Sequence, residues 1–394
     1  MEKRITNTPI LQHSNTPKQN TMNENRRHFI KTALMSVCGI ALCPLEFAFA
    51  DSPFSPSDPY IKEAYFYRKL EKSLVQCGTC PNRCVIRPGN RGRCRVKVNI
   101  DGKLYSISYG NPCAVHVDPV EKKPLFHFLP GTKAFSIAVA GCNFRCLNCQ
   151  NWQISQTSPD KTRNVDLTPA EAIEMALKYK CKSIAYTYSE ATTFYEYMVD
   201  TSRLAKEKGV KNIWVTNGYM TQEALNHLCD VIDAANVDLK SFSDEIYMDL
   251  NGGHLQPVLD TLKLLHKRGI WLEITNLVVP TYNDNMEMIQ KMCNWILKNL
   301  GPDYPLHFSR FHPLYKLVHL VPTPIATLEK ARETAIKAGL HHVYIGNVPG
   351  MGEDTICPNC KKKLIKRIGY TILSMDIVDG KCKFCKTKIA GRWD

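Results

Sequence analysis

Three cysteines lie in the run Gly141-Cys142-Asn143-Phe144-Arg145-Cys146-Leu147-Asn148-Cys149-Gln150-Asn151, directly after the apolar stretch Ala134 to Ala140. Their spacing is C-x3-C-x2-C. Cysteine thiolates hold iron–sulfur clusters, four of them for a complete four-iron cube. Three closely spaced cysteines with no fourth nearby leave one iron without a protein ligand. An open coordination position marks a catalytic metal site rather than a structural one. The competing reading of the loop is a zinc knuckle or three unrelated buried cysteines.

Two further cysteine groups flank this one. Eleven of the 17 cysteines fall into three tight sets. Grouped C-x2-C pairs in a large chain read as metal sites, whereas disulfide frameworks belong to short secreted chains. Upstream, Cys77, Cys80, Cys84 and Cys94 suit tetrahedral zinc or an auxiliary iron–sulfur cluster, and spacing alone does not choose between them. Downstream, Cys357, Cys360, Cys382 and Cys385 form two C-x2-C knuckles around a short hairpin, the pattern of a zinc ribbon. A segment of roughly 44 residues buries too little apolar surface to fold unaided, so a structural zinc is expected there. The isolated Cys113, Cys181, Cys229 and Cys293 read as buried apolar residues, with Cys113 close enough to the upstream group to be a spare ligand.

The elements that must position these groups alternate in type. Strand candidates are 135–140, 183–188, 212–216, 235–239, 271–279, 306–310 and 342–345, with amphipathic helices between them. Thr168-Pro169-Ala170-Glu171 combines a capping box with proline at the first helical position. Thr221 is a second N-cap. Such alternation implies an α/β fold with a parallel sheet and right-handed crossovers, its chemistry at the C-terminal strand ends. Those ends are unusually polar: the cysteine loop, then Tyr188-Ser189-Glu190, Asn217-Gly218, Asp238-Leu239-Lys240, Glu273 with Asn276, and Arg310-Phe311-His312.

The triad and the strand ends together resemble the radical S-adenosylmethionine (SAM) enzymes, especially the branch that activates glycyl-radical enzymes. The resemblance implies a partial (βα)6-type TIM barrel carrying a 4Fe-4S cluster on Cys142, Cys146 and Cys149. Its open iron would chelate SAM, which one electron cleaves to methionine and a 5′-deoxyadenosyl radical. Ser189 and Glu190 stand where the superfamily carries Gly-Gly-Glu around the SAM amino group, and this chain lacks the two glycines. Asp238-Leu239-Lys240 resembles the branch's D-x-K, implying charge partners for the SAM carboxylate. Asn276 falls where the fifth strand meets the ribose or carboxylate, and Asn217 completes the cofactor-binding set.

From residue 75 to the C-terminus, the order of motifs is similar to that of the AmmeMemoRadiSam-system radical SAM enzymes. The likeness runs through Asp118-Pro119-Val120-Glu121-Lys122-Lys123-Pro124-Leu125-Phe126-His127-Phe128, the triad loop, Tyr344-Ile345-Gly346-Asn347 and both terminal knuckles. It implies SAM cleavage, an electron donor protein and partner proteins of the same system, with no substrate supplied. Glycyl-radical activation is the alternative within that class, and a non-enzymatic iron–sulfur electron carrier is the alternative outside it.

The formal net charge of +14 suits an acidic partner, but no nucleic-acid motif accompanies it and no nucleic acid is expected. A basic, solvated C-terminal face from Lys361 to Lys388 accounts for much of the excess. Residues 24–50 read as a twin-arginine leader: Arg26-Arg27, an uncharged stretch, then Ala48-Phe49-Ala50 as a cleavage pattern. The expected division is therefore 1–50 extension and leader, 51–133 Cys-rich segment, 134–350 radical SAM core, and 351–394 zinc-ribbon-like module. Export to the periplasmic side is the expected localisation, with a cytoplasmic enzyme as the alternative.

Overall fold

Short apolar runs and capped amphipathic segments build one eight-stranded sheet with a helix in each crossover. The computed structural model describes residues 54–394, so the expected leader lies outside the described residues. In chain order the strands are β1 (Ala114–Pro119), β2 (Lys133–Ala138), β3 (Ser183–Tyr186) and β4 (Lys211–Thr216). They continue with β5 (Ala234–Asp238), β6 (Trp271–Val278), β7 (Leu306–Arg310) and β8 (Val343–Gly346). The sheet keeps this order without a break from β1 at one edge to β8 at the other. Strands β2 to β8 run parallel, and β1 pairs antiparallel with β2 from Ala114↔Ala138 to Pro119↔Lys133.

Each of the seven expected strands is present, with ends moved by no more than two residues. β1 was missed because its sequence, Ala-Val-His-Val-Asp-Pro, ends in a proline and carries polar residues in alternation. Only an edge position accommodates that pattern. A boundary at residue 133 would separate β1 from the strand with which it pairs along its whole length.

The crossover helices are α1 (Pro169–Lys178), α2 (Tyr195–Glu207), α3 (Gln222–Leu228), α4 (Leu255–Lys267), α5 (Met286–Leu300) and α6 (Ile325–Ala338). The capping box that opens α1 forms as read. Thr168 Oγ1 accepts from the Glu171 N–H at 3.3 Å, and the Glu171 carboxylate accepts from the Thr168 N–H at 2.8 Å. Thr221 caps α3 through the Ala224 N–H, and Asn285 caps α5 through the Met288 N–H. Helix α5 buries Ile289, Met292, Cys293, Ile296 and Leu300, the i, i+3/i+4 stripe of a helix lying on a sheet. These stripes join the sheet's own Phe135, Ile137, Ile184, Leu272 and Phe308 in one continuous core.

The flanks are small antiparallel units. The N-terminal flank pairs Tyr67–Lys69, Val75–Cys77 and Val85–Ile86, and separately Lys62–Glu63, Lys103–Ser106 and Lys97–Ile100. The C-terminal flank pairs Thr355–Ile356, Lys363–Ile368 and Thr371–Met375, followed by the hairpin Ile377–Val378 and Lys381–Cys382. Among the described residues, no helix is long and apolar enough to cross a membrane.

Candidate functional site

The triad loop leaves the C-terminal end of β2 and is held from three sides. Gly141 has φ +111, and a Cβ there would meet Val96 Cγ2 at 2.5 Å and Cys94 O at 2.6 Å, so only glycine fits. Opposite, the segment after β5 pairs with the loop through backbone bonds, Arg145 N–H to Asn251 O (2.8 Å) and Leu147 N–H to Leu250 O (2.9 Å). After β4, Asn217 Nδ2 donates to Asn143 Oδ1 (2.8 Å), and Asn143 Nδ2 donates to Tyr219 O (2.9 Å). Phe144 is fully buried against Tyr219 and Tyr247 and anchors the loop in the core.

This scaffold brings the three thiols to one place. Cys142 and Cys146 are buried and Cys149 half-buried. Burial pushes all three thiols up, Cys149 to about 11. Thiols so placed ionise only with a cation beside them. Donors for the ionised form are already aimed: the Phe144 N–H lies 3.4 Å from Cys142 Sγ, and Asn251 Nδ2 lies 3.2 Å from Cys146 Sγ. Asn251 escaped the sequence reading. Asn-Gly-Gly at 251–253 signals a turn, but nothing local says which loop, 105 residues away, that turn faces.

The expected cofactor residues fall into two sets. Lys240 Nζ pairs with Asp238 Oδ2 at 2.8 Å. Burial alone would lower the Lys240 ammonium, but Asp238 and Cys146 outweigh it and hold the group raised, so this pair stands beside the triad. Asn276 donates from Nδ2 to Leu239 O (2.7 Å), while its buried Oδ1 has no partner. An orphaned buried acceptor beside that pair is what a missing ligand leaves behind.

The second set is spent on the protein. Glu190 Oε1 accepts from the Thr192 N–H, Thr192 Oγ1 and Thr216 Oγ1, and its Oε2 accepts from the Asn217 N–H at 2.8 Å. Asn217 uses its side-chain oxygen on the Tyr219 N–H as well. Ser189 donates to Val139 O at 2.5 Å. These three residues tie the ends of β2, β3 and β4 together under the triad loop. Glu273, read as part of the polar mouth, lies instead near the start of β6. There it accepts from the Phe126 and His127 N–H groups and from His307 Nε2. An eight-residue strand places its third residue at the opposite end from its sixth, Asn276.

The C-terminal cysteines form a compact set. Their four sulfurs lie within 4.8 Å of one another, with Cys357–Cys385 at 3.6 Å and Cys360–Cys382 at 3.7 Å. A tetrahedral ion with thiolate bonds of about 2.3 Å would hold its sulfurs about 3.8 Å apart. The donor set and its size therefore fit one metal ion.

Residues 136–296, from β2 into α5, match the Radical SAM superfamily. The chain belongs to that superfamily and is a radical SAM enzyme, a class whose members use SAM and an iron–sulfur cluster. An uncharacterized protein of Methanocaldococcus jannaschii is 49% identical over 332 residues, which is 84% of this chain and 99% of that protein, so the two belong to one family. The pyruvate formate-lyase 1-activating enzyme of Escherichia coli K12 is 25% identical over 218 residues, 52% of this chain and 88% of that one. Among solved structures, Streptococcus suis SuiB bound to its precursor peptide SuiA matches with TM-score 0.43 and 14% identity, covering 57% of this chain and 50% of that one. As an enzyme, the protein is not the non-enzymatic electron carrier weighed above.

Proposed function

We propose that Cys142, Cys146 and Cys149 hold a 4Fe-4S cluster with one open iron, and that SAM binds between it and the ends of β5 and β6. The observation that carries this reading is the unpartnered, buried Asn276 Oδ1, on a side chain whose Nδ2 donates to Leu239 O, between Asp238 and Lys240. When bound, the cluster would supply the electron that cleaves SAM. The chain's own residues do the rest. The Lys240 ammonium suits the SAM carboxylate, and the Asp238 carboxylate suits its amino group. Asn276 offers its free acceptor to a hydroxyl or ammonium of the same ligand. Ser189, Glu190 and Asn217 act as positioning residues: their own hydrogen bonds are consumed in fixing the loop that presents the thiols.

The C-terminal four cysteines hold a structural zinc in this reading, and residues 24–50 form a twin-arginine leader. A partial TIM-type barrel that begins with β1, preceded by the Cys-rich segment and followed by the 351–394 module, is the architecture it supposes. An electron donor protein and AmmeMemoRadiSam-system proteins are its partners, and a protein or small molecule is its substrate. Glycyl-radical activation is a second reading, favoured by the likeness to activating enzymes over 218 residues.

The test is anaerobic reconstitution followed by a 5′-deoxyadenosine assay. Cys142→Ala, Cys146→Ala and Cys149→Ala are each expected to abolish product, while Cys293→Ala, in the core of α5, leaves it in place. Wild-type product from any triad variant would sink the assignment.

A further inference from the structure

The four upstream cysteines are a second set of metal-ligating side chains, outside the site just described. Cys77 ends its strand, and its N–H donates to Cys84 O at 2.9 Å, closing a turn that carries Cys80. Cys94 arrives from the next turn, closed by Arg95 N–H to Gly92 O at 2.9 Å. Arg83 (φ 44) and Arg95 (φ 69) both stand in the left-handed region, which turns the chain back on itself beside Cys84 and Cys94. The four thiols are electrostatic neighbours: Cys77, Cys94 and Cys84 all act on Cys80, and Cys84 acts on Cys94.

Backbone donors are aimed at this set as they are at the triad. The Arg93 N–H lies 3.4 Å from Cys84 Sγ. The Thr79, Asn82 and Val96 N–H groups stand in the same way beside Cys77, Cys80 and Cys94. Backbone N–H groups aimed at cysteine sulfurs are the hydrogen bonds that metal-bound thiolates accept.

Spacing distinguishes one ion from a cluster. The C-terminal sulfurs crowd as a single ion requires. Among the described residues, neither the upstream four nor Cys142, Cys146 and Cys149 gather that closely. Sulfurs bonded to one ion share a tight tetrahedron, whereas sulfurs on separate irons of a cluster stand wider apart. The two sets also adjoin. Gly141 packs on Cys94 O. The Arg145 guanidinium donates to Cys142 O (3.0 Å) and to Arg93 O, and Asn82 Nδ2 donates to Asn143 O (2.9 Å).

We propose that Cys77, Cys80, Cys84 and Cys94 hold a second, four-thiolate iron–sulfur cluster seated against the triad loop, and not a single zinc ion. With four protein ligands it has no open iron and binds no SAM. The proposal rests on the reading of the triad only for the comparison of spacing.

The test is to measure iron, sulfide and zinc per chain in full-length protein reconstituted anaerobically with all three supplied. Wild type, a Cys142→Ala/Cys146→Ala/Cys149→Ala variant and a Cys80→Ser/Cys84→Ser variant are compared. The triad variant is expected to keep about half the iron and sulfide and an iron–sulfur absorption band. The Cys80/Cys84 variant is expected to lose the other half while its remaining cluster still responds to SAM. An iron-free triad variant, whether it carries a second zinc or no second metal, would overturn the proposal. Should the Cys80/Cys84 variant fail to fold, the wild-type count decides: one cluster's iron with two zincs refutes, two clusters' iron with one zinc supports. Equal iron in wild type and triad variant would instead defeat the proposed function and leave the second cluster standing.

Discussion

Asn251 shows how much one amide can do at the residue scale. Its N–H points at Cys146 Sγ from 3.2 Å in a buried setting. Hydrogen bonds to cluster sulfurs favour the reduced, more negative state and so raise the potential. Asn251→Leu is therefore expected to move the cluster's reduction potential to a more negative value without changing iron content, read by EPR-monitored redox titration. An unmoved potential would reduce Asn251 to a packing residue. Lys240 and Asn276 belong to the same scale. Charge-assisted hydrogen bonds contribute about 1.5–3 kcal/mol each, so Lys240→Ala is expected to weaken SAM binding roughly ten- to a hundred-fold. Asn276→Ala should weaken it less, because its contact carries no charge. An ordinary surface ion pair contributes only about 0–1 kcal/mol. Unchanged affinity in both variants, measured by titrating SAM into reconstituted protein, would mean that SAM binds elsewhere.

The C-terminal ribbon poses the question of metal at the scale of an element. Its buried core is Cys357, Leu364, Ile365, Ile377, Cys382 and Ile389, of which two are the metal-ligating candidates themselves. So small a core does not offset the conformational entropy of its chain. A 351–394 fragment is therefore expected to fold only when zinc is added, releasing protons as the thiols ionise. Circular dichroism with and without chelator checks this, and native-like structure in the chelated fragment would refute it. In the full chain the ribbon is also latched to the sheet, Arg392 N–H to His127 O and Leu129 N–H to Arg392 O, both at 2.7 Å.

That latch belongs to a buried polar network that stabilises the whole molecule. Glu273 gathers the 126–127 backbone and His307, His127 reaches Tyr344 Oη at 2.5 Å, and Arg367 Nη2 donates to Phe126 O at 2.8 Å. The Phe126–His127 end of the motif thereby joins the sheet and the ribbon, while Asp118 at its other end pairs with Lys122 and Lys123. His342 lies beside His127, and burial pulls it down to about 4. Between that value and the ordinary histidine range near 6.5, the unfolded chain binds a proton that the folded one does not. Stability is expected to rise with pH across that window and to fall as pH drops through it. Thermal melts from pH 4 to pH 7 read the slope, which His342→Gln should make shallower, with His127, also pushed well down by burial, supplying part of the remainder; an equal slope in the variant would assign it to other groups.

What short-range rules govern was legible in the sequence: the seven strands and two caps form as read, and the four C-terminal cysteines gather as their spacing predicts. The triad, the two flanking cysteine sets, seven strands and the α1 and α3 caps depend on short-range rules: ligand spacing, alternation and N-cap hydrogen bonds. What depends on long-range contact was not. Glu190 and Asn217 sit at the strand ends where expected, yet their hydrogen bonds are spent on Thr192, Thr216 and the triad loop. Glu273 reads as a mouth residue until the register of β6 places it at the other end. The reach of Asn251 to Cys146, the edge strand β1 and the contact of Gly141 with Cys94 join residues far apart in sequence. A sequence specifies which groups can ligate, cap or donate; which of them meet is decided when the sheet's register and the core fix their separations.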